Sequence, residues 1–546
     1  MRKLRLSVAM LVFAIATSAN AQTPTVLYNF GSHNGDPIDP ELAYWTQGRD
    51  GNLYSTAPTG GANGDGAAFY YSFSTGLVTV LHSFMGTDGS APFSGLTLAT
   101  DGNFYGTTSA GGANGVGTVF QINGTTLAFK TLYSFTNGSD GGTPYAPPLQ
   151  GNNGLLYGTT ATGGGAAGCG TVYSISTSGA PPTTLHQFAG SSGSDGCTPI
   201  APLALGNDGN LYGTTNMGGT SVYQAGTVFK ITPSGTPAIL HNFANTDGYE
   251  PNGLILGNDG YFYGTTAAGG ATGYGVVFRI TPAGGGFIIL HNFKGGKTDG
   301  AQPYTGLVQA TNGGLYGVTT GGGANSTGAI FGFTLKPFRY TLLYSFVQST
   351  TGDIPEAPLI QRTDGLLYGD AFRGGSNGEG TFFKLSLGLD PFVSLAPTSG
   401  KVGKTIIILG QGFTATTSVS FNGTPATQVR IPSATYLTAT VPTGATTGPV
   451  SATTSGVSLT SNQQFRVTPQ IKSFSPPSGP VGTPVTITGV SLTQTTRVAF
   501  GGMAATFTKD SDTQVTATVP TGAVTGKIAI TTTGGTAMSA TSFVVQ

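Results

Sequence analysis

Short runs of alternating apolar and polar residues, cut by Gly, Asn and Pro, fill residues 26 to 386 and return in the same order seven times. The clearest run is a Leu/Phe-Tyr-Gly-Thr-Thr box whose tyrosine stands at 54, 105, 157, 212, 263, 316 and 368, with steps of 51, 52, 55, 51, 53 and 52 residues. A Leu-His/Tyr-x-Phe box keeps step with it and ends at Phe30, Phe84, Phe135, Phe188, Phe243, Phe293 and Phe346. A third, Gly-Thr-Val-Phe-Lys-Ile, is clearest from Gly226 to Ile231. Alternation with period two predicts half-buried strands, and an Asp-Gly or Asn-Gly pair before most tyrosine boxes, as at Asp101-Gly102 and Asp364-Gly365, predicts a tight hairpin. One unit therefore reads as strand A (Gly95 to Ala99), turn, strand B (Phe104 to Thr108), Gly-rich loop, strand C (Gly117 to Ile122) and outer strand D (Thr131 to Phe135).

A period near fifty with four strands per unit predicts an all-β seven-bladed propeller over residues 22–388, a Gly-rich β-solenoid being the alternative. The phase of the repeat adds a constraint. The chain enters on a D-type strand, Val26 to Phe30, and the last repeat stops after its C-type strand, Thr381 to Leu385. The N-terminal strand is expected to complete the last blade and cover its edge.

Beyond Leu387 glycine thins, and two segments align at an offset of 78 to 79 residues. Pro397 to Gly403 matches Pro476 to Gly482, Phe421 to Gly423 matches Phe500 to Gly502, and Ala439 to Gly444 matches Ala517 to Gly522. Short alternating strands over such a length predict two antiparallel sandwiches, at 391–468 and 469–546. Their boxes resemble the IPT/TIG family of immunoglobulin-like domains, which implies spacers or interaction modules rather than catalysts. The boxes of residues 26 to 386 resemble the GloVer repeats of exported bacterial proteins. That resemblance implies an extracellular or cell-surface protein, and it implies no particular activity.

Residues 1–21 read as an export signal: Arg2, Lys3 and Arg5, an apolar run from Val8 to Ala16, then Ala19 to Ala21 before Gln22. The run is too short for a stable membrane span, and no apolar tail precedes Gln546, so a soluble secreted protein is expected, with the periplasm as the alternative. Charged residues make up 8% of the chain, 22 basic against 22 acidic, without a basic run that would neutralise a phosphate backbone. Nucleic acid is thereby a poor partner. Cys169 and Cys197 fall on one face of one repeat, and an oxidising compartment favours a disulfide over two free thiols.

Four of the five histidines, His82, His186, His241 and His291, occupy the D-strand position that Tyr28, Tyr133 and Tyr344 fill elsewhere, which argues for packing rather than metal or proton chemistry. Asp36, Asp88, Asp140, Asp195, Asp247, Asp299 and Asp353 recur once per D-to-A loop and are expected to bond their own loop backbone. Calcium at these loops is the alternative, but no repeat supplies the further carboxylates such a site wants, so no cofactor is expected. The Gly-rich loops lead into strands and lack the Lys-Ser/Thr and helix start of a phosphate cradle.

A site on a pseudo-symmetric ring must come from residues that break the repeat. Twelve of the 22 carboxylates sit at repeated turn positions, and six of the other ten fall beside the loops of the last and first repeats: Glu356, Asp370, Glu379, Asp39, Glu41 and Asp65. The last repeat also carries Arg373, and the first the single tryptophan, Trp45, near a strand-A core position. Asp39, Glu41, Trp45, Asp370, Arg373 and Glu379 are the candidate ligand-binding set, an aromatic beside carboxylates and Arg suiting a sugar. No residue is assigned as catalytic. The leading reading is an exported non-enzymatic binding or adhesion protein whose partner is an extracellular glycan or a surface protein. A polysaccharide-active enzyme using the seam carboxylates and a pure surface scaffold are the alternatives.

Overall fold

The computed structural model describes residues 22–42, 44–190 and 195–546, so the predicted export signal lies outside the described residues. The described chain is almost wholly strand and turn, with a single helical turn at Gln348–Thr351. Seven antiparallel sheets of four or five strands and two small two-stranded ones come from residues 25 to 385, and two sandwiches follow.

In the second repeat the sheet runs Phe129–Ser134, Thr118–Ile122, Phe104–Thr108, Thr97–Leu98, so strands B and C stand where the pattern puts them. Strand A is shorter than predicted. Strand B is buried along its whole length in every repeat, which is why its alternation is weak and its residues recur so strictly. Its central glycine is required by a close approach: a Cβ on Gly106 would sit 2.5 Å from the Phe120 ring. The box tyrosine turns back to its own hairpin, Tyr105 donating to Asp101 at 2.6 Å and Tyr263 to Asp259 at 2.6 Å. In this way the Asp-Gly turn also satisfies a phenol buried among apolar side chains.

Apolar clusters join each sheet to the next. Tyr54, Phe84, Phe104 and Phe120 join the first to the second, and Tyr105, Phe135, Leu156 and Tyr173 the second to the third. The series continues to Tyr316, Phe346, Leu367 and Phe383 between the sixth and seventh. A last cluster, with Phe30, Trp45, Phe69 and Phe382, joins the seventh to the first. The clusters thus run in cyclic order. Thr25–Asn29 pairs antiparallel with Thr381–Leu385, Thr25 opposite Lys384 and Asn29 opposite Thr381, as the outer strand of the seventh sheet. Asn377 Nδ2 donates to Phe30 O at 2.9 Å and repeats across the seam the bond that Asn114 makes to Phe135 O inside the second sheet.

Neighbouring sheets are also latched by backbone. In each D-to-A loop the residue before the final proline has positive φ: Asp39, Ala91, Thr143, Thr198, Glu250, Gln302 and Ile354, between 48° and 57°. Its N–H bonds a carbonyl of the preceding sheet, as Thr143 does to Val116 at 2.7 Å and Asp39 to Glu379 at 3.1 Å. The latch holds each loop in a costly left-handed conformation. Cys169 and Cys197 are joined by a disulfide beside one latch, where Thr198 N bonds Cys169 O at 2.9 Å.

The first sandwich packs Ile406, Ile408, Phe421, Leu437 and Phe465 in its core, and the second packs Val485, Ile487, Phe500, Ile528 and Phe543. The first is seated on the A-to-B hairpins of the sheets. Thr435 Oγ1 donates to Arg49 O at 2.6 Å, Ser399 Oγ to Asn152 Oδ1 at 2.7 Å, and Gln411 Nε2 to Thr363 Oγ1 at 2.9 Å. The D-to-A and B-to-C loops lie at the other end of the strands.

Deleting residues 22–31 removes the outer strand of the seventh sheet together with Phe30, and is expected to lower the melting temperature sharply and promote association through the bared edge. An unchanged melting temperature and a monodisperse protein would count against the pairing. Replacing both cysteines by serine is expected to cost on the order of 3 kcal/mol, as for any unstrained link of this loop length, read from urea unfolding of oxidised protein.

Candidate functional site

The loops at the free end follow one plan. Six of the seven repeated aspartates accept a hydrogen bond from the D-strand His or Tyr: Asp36 from Tyr28 (2.6 Å), Asp88 with His82 (2.7 Å), Asp140 from Tyr133 (3.0 Å), Asp195 with His186 (2.8 Å), Asp247 with His241 (3.0 Å) and Asp299 with His291 (3.1 Å). Each of the six also takes a backbone N–H of its own loop, as Asp88 does from Met85. His82, His241 and His291 stack on the next sheet, on Phe129 at 3.6 Å, Phe287 at 3.8 Å and Tyr340 at 4.0 Å. Their part is structural.

The seventh loop corrects the expectation for Asp353. Thr351, not Asp353, takes the backbone N–H of Val347 at 2.9 Å and the hydroxyl of Tyr344 at 3.3 Å. Gly352 follows it, as Gly89 follows Asp88. Asp353 is therefore an additional carboxylate at the seam, buried, with Oδ1 lacking a hydrogen-bond partner.

Trp45 and Asp370 also need correction. The candidate set takes both as ligand contacts, Trp45 near a strand-A core position and Asp370 in the last repeat, but both are buried, Trp45 between Phe69 (5.5 Å) and Phe382 (4.4 Å). The indole N–H donates to Asp370 Oδ2 at 2.5 Å. In five of the other repeats this box position is a threonine, with Val318 in the sixth, and the threonine bonds a loop carbonyl of the next sheet, as Thr56 does to Pro92 O (2.6 Å), Thr214 to Asn252 O (3.0 Å) and Thr265 to Thr305 O (2.7 Å). At the seam Asp370 and Trp45 perform that cross-sheet bond with reversed polarity. Trp45 is 5% exposed and borders the cavity towards the hairpin end rather than the loop face. Asp370 Oδ1 is buried without a partner, and burial together with Glu356 outweighs the indole bond, pushing the carboxyl up to about 8.

The other candidates do converge. Arg373 is exposed, with its guanidinium 4.7 Å from the centre of the Phe372 ring, and it acts electrostatically on Asp39, Glu41, Asp353 and Glu356. Burial raises all four carboxyls, Glu379 adding to the effect on Asp39, Asp39 to that on Glu41 and Glu41 to that on Glu356, while Arg373 lowers each. Glu356 is pushed up to about 7. Among the described residues no three His, Cys, Asp or Glu side chains converge in a way that would hold a metal ion.

Glu356 also faces the axis, at a position the candidate set did not include. It lines a small cavity with Leu42, Tyr44, Tyr145, Ile200, Asn252 and Tyr304, contributed by five other sheets. Phe93, Tyr145, Ile200, Tyr304 and Glu356 each stand twelve residues before a box tyrosine, so one position carries aromatic, aliphatic and acidic side chains in turn. Phe93 and Tyr145 touch at 5.5 Å, and Tyr304 is 39% exposed. Variation at one position of an otherwise strict repeat was the available signal, but comparing repeats for what they share passes over it.

Asp370 offers a pH test. Its folded value of about 8 lies far above the roughly 3.9 of an unfolded aspartate, so the folded state holds the proton longer and stability falls as pH rises from about 4 to about 8. Asp370→Asn keeps an acceptor for the indole and cannot ionise. It is expected to melt near wild type at pH 4 and progressively above it towards pH 8. Parallel curves across that range would show that Asp370 does not carry the dependence.

A Gloeobacter/Verrucomicrobia repeat model matches residues 40–254, 148–383 and 205–428 in overlapping placements, and the IPT/TIG domain matches 392–467 and 469–545. No curated protein matches the chain. Among solved structures, an oligogalacturonate lyase in complex with manganese is 12% identical, with 67% of this chain and 97% of that one covered at a TM-score of 0.42. A fungal alcohol oxidase in complex with copper is 14% identical, covering 96% and 100% at 0.40, and a chain of a nidogen/laminin complex is 14% identical, covering 46% and 82% at 0.31. Likeness at this level assigns no activity. With its repeats matched over well more than half its length, the chain belongs to the Gloeobacter/Verrucomicrobia repeat family and carries two IPT/TIG domains behind them.

Proposed function

We propose that residues 22–388 form a seven-bladed propeller closed by its N-terminal strand, and that it presents its free loop face as the binding surface of an exported, non-enzymatic protein of the cell surface or its surroundings. The sandwich domains, 391–468 and 469–546, act as the spacer. One observation carries this reading. The first sandwich is seated on the hairpin end of the sheets, so the opposite end stays free, and there the repeat is broken by aromatic rings and carboxylates around the axis. Exposed Tyr304, half-buried Tyr145 and Phe93, Glu356 and Arg373 supply flat apolar faces beside acceptors and a fixed donor fork. An extracellular glycan fits that chemistry, its ring faces stacking and its hydroxyls pairing with carboxylates.

One observation favours an enzyme acting on polysaccharide as a second reading: Glu356, held near 7 beside Glu41, has the ionisation of a general acid. The readings separate in one experiment. Purified protein on a glycan array should bind a defined set of saccharides without releasing reducing ends, whereas hydrolysis abolished by Glu356→Gln would support the enzyme. Tyr304→Ala and Arg373→Ala are each expected to weaken glycan binding about tenfold or more at unchanged melting temperature, equivalent to about 1.4 kcal/mol. Asp247→Asn, at a repeated position, should leave affinity intact. Loop substitutions without effect on any bound saccharide would move the binding surface off this face.

A further inference from the structure

At the other end of the axis lies a space of different chemistry, partly open to solvent. The inner strands and the first sandwich border a chamber of about 620 Å³, within the range of small-molecule sites. Its ring-side wall sets apolar residues such as Leu149, Leu205, Leu256 and Val308 beside polar ones such as Gln150 and Gln309, while the floor, from the first sandwich, brings Gln463, Gln464 and Arg466. Tyr44 lines both this chamber and the small cavity at the free face, and its hydroxyl reaches across the axis to Gly253, where a Cβ would stand 3.1 Å away. It separates the two. A second cavity, about 630 Å³, shares Asn258 and Asn462 to Gln464 with the chamber and provides an entry path from its side.

Arg466 is the unexplained group. It is 8% exposed, and its guanidinium makes one hydrogen bond, Nη1 to Gly206 O at 3.4 Å, with no ion pair among the described residues. The nearest acid to act on it, Asp208, is engaged by Lys230 (2.8 Å), Asn210 (2.7 Å) and Tyr212 (2.8 Å). Burial draws the guanidinium below its usual value, which marks a charge short of compensation. The sandwich itself does not need it. Arg466 pairs with Ser399 in a short parallel bridge, and in the second sandwich Val544 makes the same bridge with Ser478. An arginine stands where an aliphatic residue suffices for the fold, and it faces a partly apolar chamber.

We propose that this chamber binds a small amphipathic anion, its apolar body against the inner strands and its carboxylate on Arg466. Arg466 supplies the charge-assisted fork and the ring supplies a surface that favours hydrocarbon over water. Titration calorimetry of the whole mature protein with decanoate and with decanol, both below their aggregation limits, tests this. Decanoate is expected to bind at one site about tenfold tighter than decanol, as a hydrogen bond to a charged group would give. Arg466→Gln should reduce decanoate to the level of decanol, Arg466→Lys should retain part of the difference, and Leu256→Trp, which fills the chamber, should abolish both. Equal binding of the two probes, decanoate affinity unaltered in Arg466→Gln, binding that survives Leu256→Trp, or no saturable binding would each overturn the proposal and leave Arg466 as a contact between domains.

Discussion

A sheet that is apolar on both faces must be covered on both, and the architecture of residues 25 to 385 follows from that requirement. Strand B is buried throughout in every repeat, so no sheet can stand at the end of a row without exposing Phe and Tyr side chains to water. A cyclic order satisfies all seven at once. It also fits the place of Thr25–Asn29 in the last sheet: its pairing with Thr381–Leu385 ties the first and last sheets by hydrogen bonds as well as by packing, so the seam cannot open without breaking a ladder. The positive-φ latches serve the same end. Each is costly alone, and each is repeated because it sets the angle between one sheet and the next.

The two ends of the strands are unlike. At the hairpin end the first sandwich is seated on the turns and borders a partly apolar chamber, and at the loop end Glu356, Tyr145 and Tyr304 face the opening. Tyr44 crosses between them.

Most of the architecture was legible because a strict repeat states its own strand order. Strand B was placed to the residue and the N-terminal strand to within one, since period-two alternation and Asp-Gly hairpins are local signals. Strand A was drawn too long, its flanks being held by loop contacts that leave no mark in an apolar pattern. The site was read less well. Asp39, Glu41 and Arg373 do lie within electrostatic reach of one another at the seam, and Trp45 is buried as its place near a strand-A core position suggested, whereas the burial of Asp370 has no mark in the sequence because an odd residue in a repeat carries no label for burial. Nothing in the sequence said that Trp45 and Asp370 replace one threonine-to-carbonyl bond as a pair.

That substitution bears on the residues left over. At the seam the structural duties of the repeat have been reassigned: Thr351 does what six aspartates do elsewhere, and Trp45 with Asp370 makes the bond that the box threonine makes. Asp353 is thereby released from the role its position suggested, and the side chains of Asp39, Glu41, Glu356 and Arg373 never had one, although the Asp39 backbone still closes its latch. A terminal repeat that diverged only for closure would carry Trp45, Asp370 and Thr351 and be indifferent to the rest. Gathering several raised carboxyls around one arginine adds an electrostatic cost that closure does not require. Closure therefore accounts for the buried pair, and it does not account for the buried and half-buried carboxyls gathered around exposed Arg373.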